Sequence, residues 1–301
     1  MIGRGTIDKI VAHCMDLKAV VAIGIIGSRA EDPYSDGDWD LVAFIDAPNH
    51  PPPDIRREFW VSTNSPLAGA EIHCSGMCDR FIINGSHVGI DYRPIDSIAA
   101  DIKQVLEEGT IWQTPDISFV LGCFPEAICA DIRMCIPLWD PEDRISAWQA
   151  SLKNYPEKFR NNIIQQVLFE ARFKLADLRR ASEISDVTFF HAALSEFCLC
   201  LIRIIFALNR RYFRGLKRAM HVLIELRIKP NGVTERLTQL MSSAFVETDL
   251  WSPFEVAKQL AVDVAMLAAS QGDTESTAAG LALSDWPDAE PLKFNQISDG
   301  V

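Results

Sequence analysis

Residues 22–46 read AIGIIGSRAEDPYSDGDWDLVAFID, and the rest of the chain takes its meaning from this stretch. Val20 to Ile26 is an unbroken run of small and β-branched residues, suited to a strand buried on both faces, and it stops at Gly27-Ser28. A polar turn follows. After Tyr34-Ser35-Asp36-Gly37 a second apolar strand is expected from about Asp38 to Ile45, with Asp38 and Asp40 two residues apart at its start. On an extended strand that spacing sends both carboxylates to one side while Trp39 and Leu41 pack the other way. Two converging carboxylates suit a hard divalent cation. Asp36 offers a rival pairing with Asp38, but Gly37 between them belongs to a turn, whereas Trp39 leads directly into Leu41-Val42-Ala43-Phe44. The later pair is preferred.

Outward from this stretch, Ile7, Ile10, Val11, Cys14 and Leu17 recur at helical spacing and predict a short helix over 7–18. Asn49-His50-Pro51-Pro52-Pro53 is a rigid break, followed by one or two helical turns over Asp54 to Trp60. Residues 61–77 show no clear period. Asn84-Gly85 then marks a β-hairpin between Asp79–Ile83 and His87–Tyr92, whose second strand carries Asp91. Pro94 opens a helix to about Glu108. Residues 116–121 and 134–138 read as further short strands.

From about Pro141 the pattern changes to long segments with a period near 3.6. Helices are expected over Pro141–Leu152, Pro156–Ala181, Val187–Asn209, Gly215–Leu226, Thr234–Phe245 and Pro253–Ala268. The fold class is therefore α+β: an N-terminal domain over 1–140 with a mixed β-sheet flanked by helices, a C-terminal α-helical bundle over 141–270, and a loosely ordered tail over 271–301.

Length and composition set the outer bounds. The 301 residues suffice for two domains, and 48% hydrophobic with 23% charged residues is ordinary globular composition. A net charge of -12 disfavours a large basic surface, and with it a nucleic-acid partner. The N-terminus lacks the apolar core of a secretory signal, and no apolar run is read as long enough to cross a bilayer. The expectation is a soluble cytoplasmic protein without membrane contact. The eight cysteines, at 14, 74, 78, 123, 129, 135, 198 and 200, lie largely within apolar segments and read as packed thiols. The spacing of His73, Cys74, Cys78 and His87 fits no common zinc site.

The order strand, Gly27-Ser28, nine residues, Asp38-Trp39-Asp40, apolar strand, and Asp91 on a later strand resembles the nucleotidyltransferase superfamily that includes DNA polymerase beta. That resemblance covers roughly the first 110 residues. The helical half is similar in general character to the helical domain of aminoglycoside and lincosamide nucleotidyltransferases. The resemblance implies an enzyme that uses Mg2+, usually as two ions, to transfer a nucleoside monophosphate from ATP to a hydroxyl of a small acceptor, releasing pyrophosphate. Asp38, Asp40 and Asp91 would be the metal ligands and catalytic carboxylates. Gly27 lets the backbone approach the phosphates, Ser28 offers amide and hydroxyl, and Arg29 adds charge. An unpaired carboxylate in the buried-looking strand around Asp91 would be costly, so Asp91 requires a partner: the metal site, or a salt bridge to an arginine such as Arg93.

One further pattern lies in the helical half. If the chain stays helical from Ser195 onward, Glu196, Arg203, Arg210, Arg214 and Lys217 fall in a narrow stripe on one face. Arg203, Arg214 and Lys217 would clamp a triphosphate, and Glu196 is a second candidate for general base. The bland alternative is a solvated basic face, and Gly215 is a possible interruption. The apolar helical faces would also support a homodimer. Two rival functions stand beside the main one: the same chemistry on protein or transfer RNA, as in some toxins of the superfamily, and a non-catalytic nucleotide-binding module.

Overall fold

In the computed structural model, which describes residues 3–31, 37–62, 67, 70–115, 121–243 and 249–271, the two apolar runs form the paired centre of a sheet. Helix α1 (Arg4–Cys14) precedes β1 (Val20–Ile26). A short α2 (Ser28–Glu31) follows Gly27, and β2 (Trp39–Ile45) returns antiparallel to β1. Helix α3 (Pro53–Val61), β3 (Glu71–Ser75) and β4 (Cys78–Ile83) lead to β5 (Ser86–Pro94), which lies parallel to β2. Then come α4 (Ile95–Lys103) with a π-helical turn over Gln104–Glu108, α5 (Pro125–Met134) and β6 (Ile136–Trp139). The six-stranded mixed sheet runs in the order β3-β4-β5-β2-β1-β6, so the fold is α+β. Asp36 lies outside the described residues, as do 116–120 of the expected strand over 116–121 and the tail beyond Gln271.

The two faces of the sheet differ. On one, Ile23, Ile25, Trp39, Leu41, Ala43, Ile45, Phe81, Val88, Ile90 and Tyr92 form one buried cluster with Ile7, Ile10 and Cys14 of α1 and Trp60 of α3. Apolar side chains alternating with the pleat explain why β2 and β5 commit these residues to one side. Within this core sits a charged network that sequence reading did not anticipate. Asp79 accepts from Arg56 Nε (3.1 Å) and Nη2 (3.0 Å), from Trp60 Nε1 (2.8 Å) and from the Tyr92 hydroxyl (2.7 Å). Arg56 also donates to the carbonyls of Pro51 (2.9 Å) and Gly76 (3.0 Å). The donors from Arg56, Trp60 and Tyr92 are thus further fastenings for α3 and β5, and a buried pair satisfied in this way is tolerated where an unpaired charge would not be.

The rest of the described chain is helical: α6 (Arg144–Ser151), α7 (Glu157–Glu183), α8 (Val187–Leu208), α9 (Ala219–Glu225), α10 (Val233–Ser243) and α11 (Trp251–Ser270). Asp140 starts α6 by accepting from the amides of Arg144 and Ile145, both at 2.9 Å. The chain divides into two compact units, Met1–Phe159 with Tyr212–Lys217, and Arg160–Arg211 with Arg218–Val301. The first expected boundary, at 141, falls inside the first unit. Segment 212–217 belongs to that unit because Tyr212 packs at a tilt against Tyr155 (4.6 Å), Phe213 is buried near Phe124 (6.2 Å), and Arg214 binds Asp131.

Three expectations change. Helix α8 is long and apolar enough, by length and composition, to span a bilayer, contrary to the reading that no run was; 72% of its apolar window is buried inside the protein. A helix apolar all round is what a core position requires. The continuous stripe from Glu196 to Lys217 is broken, because Asn209 ends α8 and Arg210 takes a left-handed φ of 52°. Asn209 donates from Nδ2 to the Ile205 and Ile228 carbonyls and accepts at Oδ1 from the amides of Arg227 and Ile228, so the chain turns there. The expected helix from Gly215 begins only at Ala219, after Gly215 at φ 123° and Arg218 at φ 65°.

Candidate active site

The second face of the sheet carries the acidic residues. In β2, Asp40, Val42 and Phe44 share this face, and their burial rises along the strand from half-buried Asp40 to Phe44, which packs edge-on against Trp148 of α6 at 5.3 Å. Asp40 pairs in register with Ile26 on one side and Gly89 on the other, and Val42 with Asp91. Across β4, Arg80 is opposite Gly89 and Cys78 opposite Asp91. Asp40, Gly89 and Arg80 therefore form a row across three strands, with Asp91 one pleat further along on the same side. Asp38 stands exposed just before β2.

The charges act on one another. The Asp40 carboxyl is raised above the ordinary aspartate range, first by burial and then by the negative charge of Asp91, with Asp38 adding to it; Lys217 and Arg80 pull it back. Asp91 has the partner that the strand pattern required, an arginine, but it is Arg80, and the carboxylate is not buried. It is partly exposed and accepts from Arg80 Nη2 at 2.8 Å. Arg93, the arginine expected as its alternative partner, instead binds Asp131 of α5 at 2.8 Å.

The loop between β1 and β2 is fitted to this cluster. Gly27 takes a φ of 78°, and a Cβ there would lie 2.2 Å from Asp40 Oδ2, so only glycine admits both the turn and the carboxylate. Ser28 is half-buried at the start of α2. Arg29 lies over the Trp39 ring at 4.2 Å and donates from Nε to the Gly37 carbonyl at 2.9 Å, tying the two ends of the loop together. Arg214 reaches the same loop. It binds Asp131 Oδ1 (3.0 Å) and Glu31 (3.2 Å), and donates from Nη1 to the Gly27 carbonyl (3.3 Å). Asp131 thus holds two arginines, one on each carboxylate oxygen, and one of them props the glycine loop. Lys217, at the end of the same segment, is near enough to act on Asp40.

Structure therefore gathers Gly27, Ser28, Arg29, Asp38, Asp40, Asp91, Arg214 and Lys217 within the first unit. Glu196 and Arg203 lie on α8 in the second unit. Glu196 forms an ion pair with Lys174 of α7, whose ammonium pKa is raised by that bond, while Arg203 is buried at 2% exposure. Arg80 and Asp131 were missed in the sequence. For Arg80 a signal existed: a two-residue turn at Asn84-Gly85 sets the register that puts Arg80 opposite Gly89 and beside Asp91. For Asp131, within α5, none did.

As a donor set, Asp38, Asp40 and Asp91 offer hard oxygens, and the crowding that raises Asp40 is the condition a divalent cation relieves. The set fits such an ion by chemistry. As the side chains stand, no three His, Cys, Asp or Glu among the described residues lie together in a metal-binding cluster, and Asp91 is turned to Arg80.

Residues 135–217 match a family described as a domain of unknown function, DUF4037, which covers well under half of the chain. A nucleotidyltransferase-like protein from Exiguobacterium sibiricum has a similar structure, with 12% identity, a TM-score of 0.47, and coverage of 92% of this chain and 77% of that one. At that identity and score the likeness transfers no activity. No curated protein matches the chain.

Proposed function

We propose that the protein is a magnesium-dependent nucleotidyltransferase that moves a nucleoside monophosphate, AMP from ATP in the first instance, to a hydroxyl of a small molecule. The observation that supports it is Asp40 and Asp91 on one sheet face, with Asp40 against Gly27 and Asp38, just before β2, near enough to raise the Asp40 carboxyl further. The acceptor oxygen bonds to the α-phosphorus, the bond from that phosphorus to the bridging oxygen breaks, and pyrophosphate leaves. Asp38 and Asp40 would hold Mg2+, which supplies charge neutralisation for the triphosphate. Asp91 joins them or takes the acceptor's proton. Gly27 and Ser28 present backbone and hydroxyl to the phosphates, and Arg29 and Lys217 add positive charge. Arg214, engaged with Asp131 and Glu31, keeps the loop in place while its charge faces the same end of the sheet. Arg203, buried in α8, takes no part.

The test is a pyrophosphate-release screen of four nucleoside triphosphates with Mg2+ against hydroxylated small molecules, aminoglycosides included. At least one combination should release pyrophosphate, and Asp38→Asn with Asp40→Asn should abolish it. Release that survives in the double variant, or none with any acceptor, overturns the proposal. Label from α-labelled ATP appearing on protein or transfer RNA would keep the chemistry and change the acceptor.

A further inference from the structure

Resting on that reading, we infer that Arg80 is the resident counter-ion of the acidic site and competes with the divalent cation for Asp91. Strand β4 turns Asp79 into the core and its neighbour Arg80 to the site face. The guanidinium lies flat on Gly89: a Cβ at that position would sit 2.9 Å from Arg80 Nη1 and 3.2 Å from Cζ. Gly89 is also the register partner of Asp40, so the missing side chain is what admits a cationic plane beside that carboxylate. One end of the fork is anchored, Nη1 donating to the Asp79 carbonyl at 3.2 Å, and the other donates from Nη2 to Asp91 Oδ1 at 2.8 Å. Arg80 thus occupies one of the three carboxylates and holds a positive charge beside those that a metal would use.

A cation that settles on Asp38 and Asp40 and recruits Asp91 has to displace this guanidinium. The pair is about half exposed, at 49% and 38%, and pairs of that exposure are weak, so Arg80 lowers the site's affinity for the ion without closing it. Once displaced, a fork anchored at one end is free to meet the phosphate oxygens that a nucleotide brings with its metal. The site is thereby biased against free metal and towards the metal–nucleotide complex.

The test measures Mn2+ binding to the full chain by calorimetry, with and without a non-hydrolysable ATP analogue. It compares the native protein with Arg80→Gln and with the Asp38→Asn, Asp40→Asn double variant. Without nucleotide, Arg80→Gln should bind Mn2+ about tenfold more tightly than the native chain, consistent with removal of an adjacent positive charge. The double variant should lose the site. Equal or weaker binding by Arg80→Gln, with binding still dependent on Asp38 and Asp40, overturns the inference about Arg80 alone. Binding that persists in the double variant, or that is absent from the native chain and Arg80→Gln both with and without the analogue, overturns the nucleotidyltransferase reading itself.

Discussion

Asp79 and Arg80 are neighbours on β4 and point to opposite faces of one sheet, and the arginine–carboxylate pairs they form are opposites too. On the core face Asp79 and Arg56 are both fully buried, and Asp79 is saturated by Arg56, Trp60 and Tyr92. On the site face Asp91 and Arg80 are partly open, and Asp91 accepts from Arg80 Nη2. A carboxylate whose oxygens are all satisfied by fixed neighbours is part of the framework. One that shares a face with a second carboxylate and is held by a half-exposed arginine is placed for chemistry.

The largest stability effect expected from this contrast is at Asp79. Asp79→Ala leaves the Arg56 charge buried without its partner and should cost about 3–5 kcal/mol in urea denaturation; a loss near zero would break the distinction between the faces. Gly27→Ala comes next. It demands a left-handed turn from alanine and drives a methyl into Asp40, so a cost of roughly 1–3 kcal/mol is expected together with loss of transfer activity. Asp91→Asn should change metal-free stability by no more than about 1 kcal/mol, because its ion pair is half exposed, while removing activity. An equal cost at Asp79 and Asp91 would erase the comparison.

The smallest effect concerns pH. The folded Asp40 carboxyl is raised, so the folded protein keeps that proton to higher pH than the unfolded chain does. Below the ordinary aspartate value of about 4 both states are protonated and the group contributes nothing. As pH rises through that value and then the raised one, a penalty on the folded state develops and remains in full at neutral pH. Without metal, Asp40→Asn should therefore melt about 2 °C higher than the native protein at pH 7, with the gap closing as the pH falls towards 4. A gap that grows on acidification contradicts the sign.

Sequence reading recovered the elements whose burial leaves a local signature. Strand β1 is covered on both faces and so reads as a continuous apolar run. The β4–β5 hairpin was visible because Asn84 and Gly85 both take positive φ, 50° and 76°, as a tight hairpin turn requires. Strand β3 was not read because it is a five-residue edge strand whose alternation rests on two half-buried apolar residues, Ile72 and Cys74. Helix α5 was missed because it is buried nearly all round, with Glu126 and Asp131 among its buried residues, which hides the one-faced period that marks a surface helix. Of the candidate site, Gly27 and the Asp38–Asp40 pair were read from spacing, and Asp91 from the resemblance. Asp131 was not, because its partners Arg93 and Arg214 are distant in sequence.

The central proposal is that Asp38 and Asp40 create a magnesium-dependent nucleotide site where β2 begins. Its most direct test is calorimetric binding of a non-hydrolysable ATP analogue, with and without Mg2+, to the native chain and to the Asp38→Asn, Asp40→Asn variant. The account predicts binding by the native chain that requires Mg2+ and falls at least about 100-fold in the variant, whose melting temperature is not lowered. Binding of equal strength in both proteins, or binding indifferent to Mg2+, would contradict it.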